Sequence, residues 1–364
     1  MVSVKEIIAL LENFAPLSLQ EDYDNAGLLC GDPEAEVHSI LLTLDITEEV
    51  IDEAIQGNHN LIISHHPLLF QGIKQLLPNS PEKRCLIKAI QHHLNIYSAH
   101  TNMDSVFQGV SGRMADKIGL IHKTILQPTG KLYCLTFYTP QKEAEKVRSA
   151  IFNAGGGELG KYSHCSFNSE GLGTFQAQKG ANPYVGKIGH FHTESEIKTE
   201  ITIPEHLLPR CIHALKNAHP YEEPIWNIIC INNPNPTTGF GIVGDLPLPV
   251  NSLEFLHSLK NTFQCNNIRH TAICKTNIQR IALCGGSGAF LIPTAIAQKA
   301  DLYITGECKY HDFFKADNRL IIADIGHYES EQYTKEIFYE LVTKKIPNFA
   351  IQFSKSNTNP IHYI

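Results

Sequence analysis

The sequence predicts an α/β protein with a layered core of mixed sheets flanked by helices and a smaller inserted α+β domain. Short runs rich in isoleucine and leucine alternate with stretches of helical apolar spacing, as in layered α/β folds. The chain has 364 residues, too many for one ordinary compact domain. Between about residues 130 and 233, the predicted order becomes β-α-β followed by β-α-β, which is the ferredoxin-like pattern.

The composition argues against several classes of protein. Hydrophobic residues make up 43% of the chain and charged residues 18%, which indicates a packed core rather than disorder. The net charge is −7 and no basic stripe is present, so nucleic acid is not an expected partner. The opening residues, MVSVKEIIALLENFAP, predict an amphipathic helix rather than a signal peptide, and no apolar run is long enough to span a bilayer.

The ten cysteines form no CxxC pair, which argues against a structural zinc ribbon. Several lie within apolar runs, such as Cys230 in IWNIICI and Cys284 in RIALCGG, so we expect buried, reduced thiols. Together with the N-terminal helix, this pattern predicts a cytoplasmic protein without membrane association.

Polar residues follow the predicted strands of the core in order. Because ligands of α/β proteins collect at the carboxyl ends of strands, these positions are candidates for one site. In chain order they are Asp45, the pair His65 and His66, His100 with Asp104, the loop at 285–288, Glu307 with His311, and His327 with Glu331.

The adjacent histidines in LIISHHPLLF are the strongest of these signals. Neighbouring residues of a strand point to opposite faces, but Pro67 ends the strand's hydrogen bonding, so both imidazoles can turn toward one pocket. His65 and His66 are therefore candidate metal ligands. An equally weighted alternative is one histidine that caps a loop and one that is exposed.

Two further pairs can complete a metal site. His327 and Glu331 are spaced i, i+4, so both lie on one face if a helix starts there, although a surface pair is the commoner explanation of that spacing. Asp104 offers a carboxylate. His100 is a candidate ligand, outer-shell residue or proton carrier, with an ordinary loop histidine as the alternative.

Taken together, three imidazoles and two carboxylates form a mixed nitrogen and oxygen donor set. It suits Zn²⁺, Mn²⁺ or Fe²⁺ better than Ca²⁺. Five ligands exceed the need of one tetrahedral ion, so two ions bridged by Glu331 are an economical arrangement. Thr305, Glu307 and His311 are candidates for orienting substrate or moving protons, with a solvated helix start as the alternative.

The loop Gly285-Gly286-Ser287-Gly288 follows a predicted strand and precedes a predicted helix. Its backbone N–H groups are therefore candidates for holding a phosphate. A tight turn alone explains the glycines equally well, and neither GK[ST] nor the full GxGxxG spacing is present. The loop by itself thus identifies no nucleotide cofactor.

Six motifs resemble those of the Nif-three-like family and occur in the family's order. They are YDNAGLLCGDP (23–33), LIISHHPLLF (61–70), SAHTNMD (98–104), CGGSG (284–288), YITGECKYHD (303–312) and DIGHYESE (324–331). Tyr23 stands where many members have tryptophan, which keeps the aromatic character. In the middle segment, GGGELGKYSHCSFNSEGLGTFQ, ANPYVG and HPYEEPIWNI resemble the PII-like insertion of the longer members.

The resemblance implies an α/β core with a dinuclear metal site and a ring-shaped homohexamer. It implies that residues 1–129 and 234–364 form the two halves of the core and that residues 130–233 form a PII-like insert. The implied ligands of two divalent ions per subunit, zinc first with iron or manganese as alternatives, are all present: His65, His66, Asp104, His327 and Glu331.

Members of this family are often labelled GTP cyclohydrolase I type 2 homologs. The resemblance thus implies a metal-dependent hydrolase that opens the guanine imidazole ring of GTP and releases formate, with His100, Glu307 and His311 as candidate catalytic residues. The expected partner is a small-molecule substrate such as a nucleotide. A metal-binding regulatory or scaffold protein without turnover and a metal-dependent phosphoesterase are the alternatives. The acidic charge disfavours a role in binding nucleic acid.

Overall fold

The computed structural model describes residues 2–364, and the chain divides into two compact units. One unit comprises Met1–Gln127 together with Thr238–Ile364, and the other comprises Pro128–Thr237. Within residues 2–364, no helix combines the length and the apolar character needed to cross a membrane. All ten cysteines are free thiols.

The structure has the following helices and strands. The first part of the chain contains β1 (Val2–Ser3), α1 (Val4–Phe14), β2 (Gly27–Cys30), β3 (Glu36–Val37), β4 (Ile40–Thr43), α2 (Glu48–Gln56), β5 (Leu61–Ser64), α3 (Pro81–Gln91), β6 (Asn95–Ser98), α4 (Thr101–Asp104), α5 (Val110–Lys117) and β7 (Ile121–Pro128). The second unit contains β8 (Leu132–Pro140), α6 (Ala144–Asn153), β9 (Phe167–Gln176), β10 (Phe191–Pro204), α7 (Leu208–Ala218) and β11 (Trp226–Ile231). The rest contains β12 (Gly239–Asn251), α8 (Ser252–Phe263), β13 (Arg269–His270), β14 (Asn277–Cys284), α9 (Ile292–Ala297), β15 (Leu302–Thr305), β16 (Ile321–Asp324), α10 (His327–Glu331), α11 (Thr334–Lys345) and β17 (Ile351–Phe353). Short 3₁₀ turns cover Leu17–Leu19, Glu205–Leu207, Ala289–Leu291 and Tyr310–Ala316.

The first sheet of the core has the strand order β17-β4-β5-β6-β2. Its strands are parallel except β2, which runs antiparallel to β6. Side chains alternate between the faces, so Ile40 packs toward α1 and α11 while Leu41 packs toward α2 and α3. Apolar layers on both faces explain why these strands are continuous apolar runs.

The second sheet has the order β13-β16-β15-β14-β12-β7. Strands β14, β15 and β16 are parallel, whereas β12 runs antiparallel to β14 and β13 runs antiparallel to β16. One apolar layer beneath α5 and α8 contains Ile304, and the layer on the opposite face contains Tyr303. The prediction of mixed sheets flanked by helices is therefore confirmed.

The strand register aligns polar residues at the ends of neighbouring strands in the first sheet. Thr43, Ser64 and Ser98 are paired across β4, β5 and β6, and the hydroxyls of Ser64 and Ser98 are 2.7 Å apart. Residues that follow β5 and β6 consequently leave the first sheet side by side.

The unit Pro128–Thr237 follows the order β-α-β-β-α-β. Its antiparallel sheet has the strand order β11-β8-β10-β9, and α6 and α7 cover one face of it. Phe137 and Ile201 are buried beneath these helices. Cys230 in β11 is exposed, so the expectation of a buried thiol is wrong there, although it holds for Cys284. An apolar run buries its residues only where a neighbouring layer covers them.

Asp301 joins two strands of the second sheet and gives a test of acid stability. Its carboxylate accepts the backbone N–H groups of Gln279 and Arg280, each at 2.9 Å, and the ammonium of Lys275 at 2.5 Å. Burial alone would raise the pKa of Asp301, but these donors lower it below the usual value. Its contribution to stability is therefore complete above the unfolded pKa of about 3.9 and disappears as pH falls through the lower folded pKa.

We expect Asp301→Asn to lower the free energy of unfolding by about 1–3 kcal/mol at pH 7, because two part-buried backbone donors lose an anionic acceptor. The difference from the wild type should shrink below a pH of about 4. Urea unfolding at several pH values measures both effects. Asp317→Asn, at a carboxylate that is 75% exposed, is the control and should change little. A deficit that does not depend on pH would contradict this assignment.

Candidate metal centre

A cavity of about 860 Å³ opens in the core unit where the loops after β5, β6, β14 and β16 meet. His65 and His66 follow β5, Asp104 ends α4, and α10 carries both His327 and Glu331. Four of these five predicted ligands line the cavity, and His65 is fully buried beside it. The structure therefore brings all five together.

Glu331 lies at the centre of the cluster. Its Oε2 is 2.9 Å from Nε2 of His66 and 3.0 Å from Nε2 of His327. Its Oε1 is 3.8 Å from Nε2 of His65, and that nitrogen is 3.6 Å from Oδ1 of Asp104. Three groups of donor atoms lie close enough together to hold a metal ion. Two of them include Glu331, one with His66 and His327 and the other with His65 and Asp104. The third consists of His65, His66 and His100.

Outer partners fix the orientation of the imidazoles. Nδ1 of His65 donates to the Ala99 carbonyl at 2.8 Å, and Nδ1 of His66 donates to Asp45 at 2.6 Å. In each ring the bonded Nδ1 carries a proton, so Nε2 is the nitrogen that would ligate a cation. Holding metal-binding histidines in this way is usual in proteins.

Several buried polar atoms of the cluster lack hydrogen-bond partners, which fits a bound cation. They are Nε2 of His65, Oδ1 of Asp104 and Oε2 of Glu331. Nε2 of His66 lies close to Oε2 of Glu331, but these two atoms lack hydrogen-bond geometry. Buried polar atoms are normally paired, so three orphaned donor atoms in one place indicate a missing partner.

The charges of the cluster depend strongly on one another. Burial raises the pKa of Asp104 well above its usual value, and the nearby Glu331 carboxylate adds to this effect. Burial would also raise the pKa of Glu331, but the imidazoles of His327, His65 and His66 lower it well below its usual value. Burial would lower the pKa of His66, but Asp45 and Glu331 raise it to about 10. Asp104 and His66 therefore hold protons in the metal-free protein, and a divalent cation would displace these protons on binding.

The glycine loop after β14 is a wall of this cluster. The amides of Gly286 and Gly288 donate to the hydroxyls of Ser330 and Thr305, both at 3.0 Å. A Cβ on Gly286 would lie 2.2 Å from Oε1 of Glu331, and the φ of Gly286 is +60°. The amides of Gly286 and Gly288 already have hydrogen-bond acceptors and are not available to a phosphate. The turn instead leaves space for the carboxylate of Glu331.

The predicted catalytic residues lie in different places. His100 lines the cavity, and its Nδ1 donates to Asp24 at 2.8 Å. Glu307 accepts the Ser287 hydroxyl at 2.5 Å, which lowers the pKa of Glu307, and lies 3.4 Å from Nδ1 of His327. His311 is exposed against Tyr310 and Phe314 and does not line the cavity.

The sequence placed Asp45 and the loop containing Gly286 among the candidate positions but gave neither a role at the metal ligands, and it did not single out Asp24. Signals for all three were present, because Asp45 ends the run LLTLDIT, Asp24 lies in YDN, and Gly286 lies in the glycine loop. What was missing was the pairing of each residue with a histidine or with Glu331, which only the packing of distant segments defines.

Asp45→Asn tests the orientation of His66. We expect metal affinity to fall about 10- to 100-fold, because an amide holds the imidazole less strongly than a carboxylate does. Titration of the metal-free protein with Zn²⁺ against a competing chelator measures the change. Asp52→Asn, at a half-buried carboxylate of α2 that pairs with Lys88 and lies outside the cluster, serves as the control. Unchanged affinity would show that Asp45 does not position a ligand.

Comparison with known proteins agrees with the resemblance seen in the motifs. A model of the family Duf34/NIF3 (NGG1p interacting factor 3) matches residues 2–360. The chain is 35% identical over 364 residues to a Halalkalibacterium halodurans protein called GTP cyclohydrolase 1 type 2 homolog, with 98% of each chain covered. It is 33% identical over 374 residues to a Bacillus subtilis protein of the same name, covering 100% of this chain and 99% of that one.

The solved structure of a Bacillus cereus protein related to NIF3 has the same fold. Its TM-score is 0.86 at 33% identity, covering 100% of this chain and 99% of that chain. A Staphylococcus aureus structure, protein SA1388, gives a TM-score of 0.76 at 29% identity over the same shares. The match of sequence and fold extends over the whole length, and the chain therefore belongs to the Duf34/NIF3 family.

Proposed function

We propose that the protein is a hydrolase that depends on two divalent metal ions. One observation carries this proposal: the two oxygens of Glu331 face two different groups of donors. Oε2 faces His66 and His327, and Oε1 faces His65, which lies beside Asp104. A carboxylate in this position can bridge two ions, with zinc as the first candidate and iron or manganese as alternatives.

The metal ions would supply an activated water as the nucleophile near neutral pH. The chain's own residues would then move protons. His100 lines the cavity, and its Nδ1 is held by Asp24, so its Nε2 is free to exchange a proton with a substrate. Glu307 and Ser287 form a hydrogen-bonded pair beside His327 that can orient the substrate. We propose no catalytic role for His311.

The walls of the cavity favour a planar ring as the substrate. Tyr23, Phe70 and Phe290 line it, and each is more than half exposed and free to stack on a ligand. Five carboxylates line the same cavity, and within residues 2–364 no lysine or arginine does. Apart from the proposed metal ions, the cavity therefore offers no lysine or arginine side chain to bind a triphosphate. We therefore propose that a heterocyclic ring, such as the guanine of the relatives' printed name, is the recognised part.

The test begins with the metal-loaded protein and three substrates: guanosine, GMP and GTP. Ring opening is followed by absorbance, and formate is measured enzymatically. We expect turnover with kcat/KM for guanosine at least equal to that for GTP. A bis-p-nitrophenyl phosphate assay in parallel tests the phosphoesterase alternative.

The possible results distinguish the proposed hydrolase from its alternatives. A preference of about tenfold or more for GTP would contradict recognition of the ring alone. Two bound ions without turnover on any substrate would replace the hydrolase with a metal-binding regulatory or scaffold protein. Fewer than two ions after careful loading would contradict the dinuclear site.

We further propose that the unit Pro128–Thr237 is an inserted PII-like domain and that the protein is a homohexamer. The β-α-β-β-α-β order and the antiparallel strand order β11-β8-β10-β9 support the first proposal. Sedimentation equilibrium tests the second, because a hexamer has six times the 40.6 kDa mass of one chain. A monomer or dimer across the concentration range would contradict it.

A further inference from the structure

The unit Pro128–Thr237 contains a second cavity, of about 640 Å³, within the size range of small-molecule sites. Strands β8, β9, β10 and β11 contribute to its floor, and the connections from β9 to β10 and from α7 to β11 form its sides. Tyr138 and Lys198 line it. They alternate with Phe137 and Thr199, which are buried on the helix side, so the cavity lies on the sheet face away from α6 and α7.

Aromatic rings form one side of this cavity. The ring of Tyr221 lies between those of Phe175 and Tyr184, with centroid distances of 6.1 and 6.3 Å. The three rings are inclined to one another, at 61° and 52°. All three line the cavity and present ring faces and edges to the same space. Such a partial cage is a typical receptor for an organic cation, because the face of an aromatic ring is negative.

Glu196 reaches the same space because its neighbour is a glycine. Its Oε1 accepts the hydroxyl of Tyr221 at 2.9 Å. A Cβ on Gly173 would lie 2.2 Å from Oε2 of Glu196. Any larger residue at position 173 would therefore displace this carboxylate. Gly173 thus allows a carboxylate and an aromatic ring to lie together in the cavity.

The charge of the lining points to a cation. Four glutamates line the cavity, Glu170, Glu196, Glu222 and Glu223, and the only cation among the lining residues is Lys198. The ammonium of Lys198 is 2.7 Å from Oε1 of Glu200, so this charge is already compensated. Within residues 2–364, every group of converging metal-ligating side chains lies in the other unit. Anions would be repelled here, and a compact metal site is not formed.

We propose that this cavity binds a small organic cation, with a substituted ammonium or a cationic heterocycle against the rings of Phe175, Tyr184 and Tyr221 and its charge facing Glu196. The aromatic surface takes the apolar part of the ligand, and the glutamates supply the charge preference. This site is separate from the metal centre and independent of the proposed hydrolase activity.

The experiment uses two pairs of probes that differ chiefly in charge. Choline is compared with 3,3-dimethylbutan-1-ol, and 1-methylnicotinamide is compared with nicotinamide. Binding to the full-length, metal-loaded protein is measured by saturation-transfer NMR and calorimetry. We expect at least one cation to bind about tenfold or more tightly than its neutral counterpart, and to bind more weakly as salt is added.

Variants locate the binding in the cavity. Glu196→Gln keeps the shape but removes the charge and should weaken the bound cation about tenfold, and Tyr221→Leu should weaken it similarly. Gly173→Ala should also weaken it by displacing Glu196. Glu158→Gln, at an exposed carboxylate of the same unit that does not line the cavity, should leave binding unchanged. Circular dichroism confirms that each variant is folded.

Three results would overturn the proposal. The first is that neither cation binds at 10 mM, about the weak limit for a specific site. The second is that each cation binds no more tightly than its neutral counterpart. The third is that Glu196→Gln leaves binding unchanged in a folded protein. Preference for the charged probe that is lost in Glu196→Gln and kept in Glu158→Gln would support it.

Discussion

Glu331→Gln is expected to abolish metal binding at the candidate centre, with affinity reduced on the order of 100-fold or more. The reason is that both carboxylate oxygens face donors: Oε2 lies 2.9 Å from His66, and Oε1 lies 3.8 Å from His65. Glutamine replaces one oxygen by an NH₂ group, which cannot ligate a cation, and removes the negative charge. If the site is dinuclear, both ions lose their common ligand.

Mass spectrometry of metals after controlled loading measures this effect. We expect the proposed two ions per chain to fall below one, together with loss of any hydrolysis. Glu329→Gln is the matched control, because its carboxylate is equally buried on α10 but accepts from Asn359 at 3.1 Å. Retention of two ions in Glu331→Gln, or their loss in both variants, would contradict the bridging role.

Gly286→Ala is expected to damage both the fold and the metal centre. Its φ of +60° costs an alanine about 1–2 kcal/mol. In addition, the new Cβ would lie 2.2 Å from Oε1 of Glu331 and 3.5 Å from Cε1 of His327. We therefore expect a lower melting temperature and a fall in metal affinity on the order of 100-fold, because a displaced ligand no longer meets its partners.

A second glycine separates these two effects. Gly119 has a φ of +70°, and a Cβ there would have no atom within 4 Å. Gly119→Ala should therefore lose comparable stability and keep its metal. Thermal unfolding of the metal-free proteins and Zn²⁺ titration distinguish the outcomes. Equal metal affinity in the two variants would show that Gly286 serves only the backbone.

The strands and helices of the core were predictable because their residues satisfy two local rules at once. The first three residues of LIIS in β5 are apolar, which marks a strand buried on both faces, and α2 begins after Thr47, which caps it. The helix expected at residue 327 also forms and places His327 and Glu331 on neighbouring turns, where their side chains meet.

Other features depended on contacts between distant parts of the chain. Cys230 lies in an apolar run yet is exposed, because no layer covers that face of β11. His311 follows a strand end as His66 does, but the 3₁₀ turn Tyr310–Ala316 carries it onto an exposed surface. Sequence position alone therefore did not separate residues of the site from residues near it.

The sequence by itself indicated the class of the core, the family and the candidate donor residues, because apolar periodicity and short motifs are local properties. The tertiary structure alone decided which oxygen of Glu331 faces which histidine and why Gly286 must be a glycine. It also decided that the glycine loop forms a wall of the candidate metal centre, which replaces the interpretation of this loop as a phosphate site. Each of these depends on atoms that are separated by tens or hundreds of residues along the chain and meet only when the two sheets pack together.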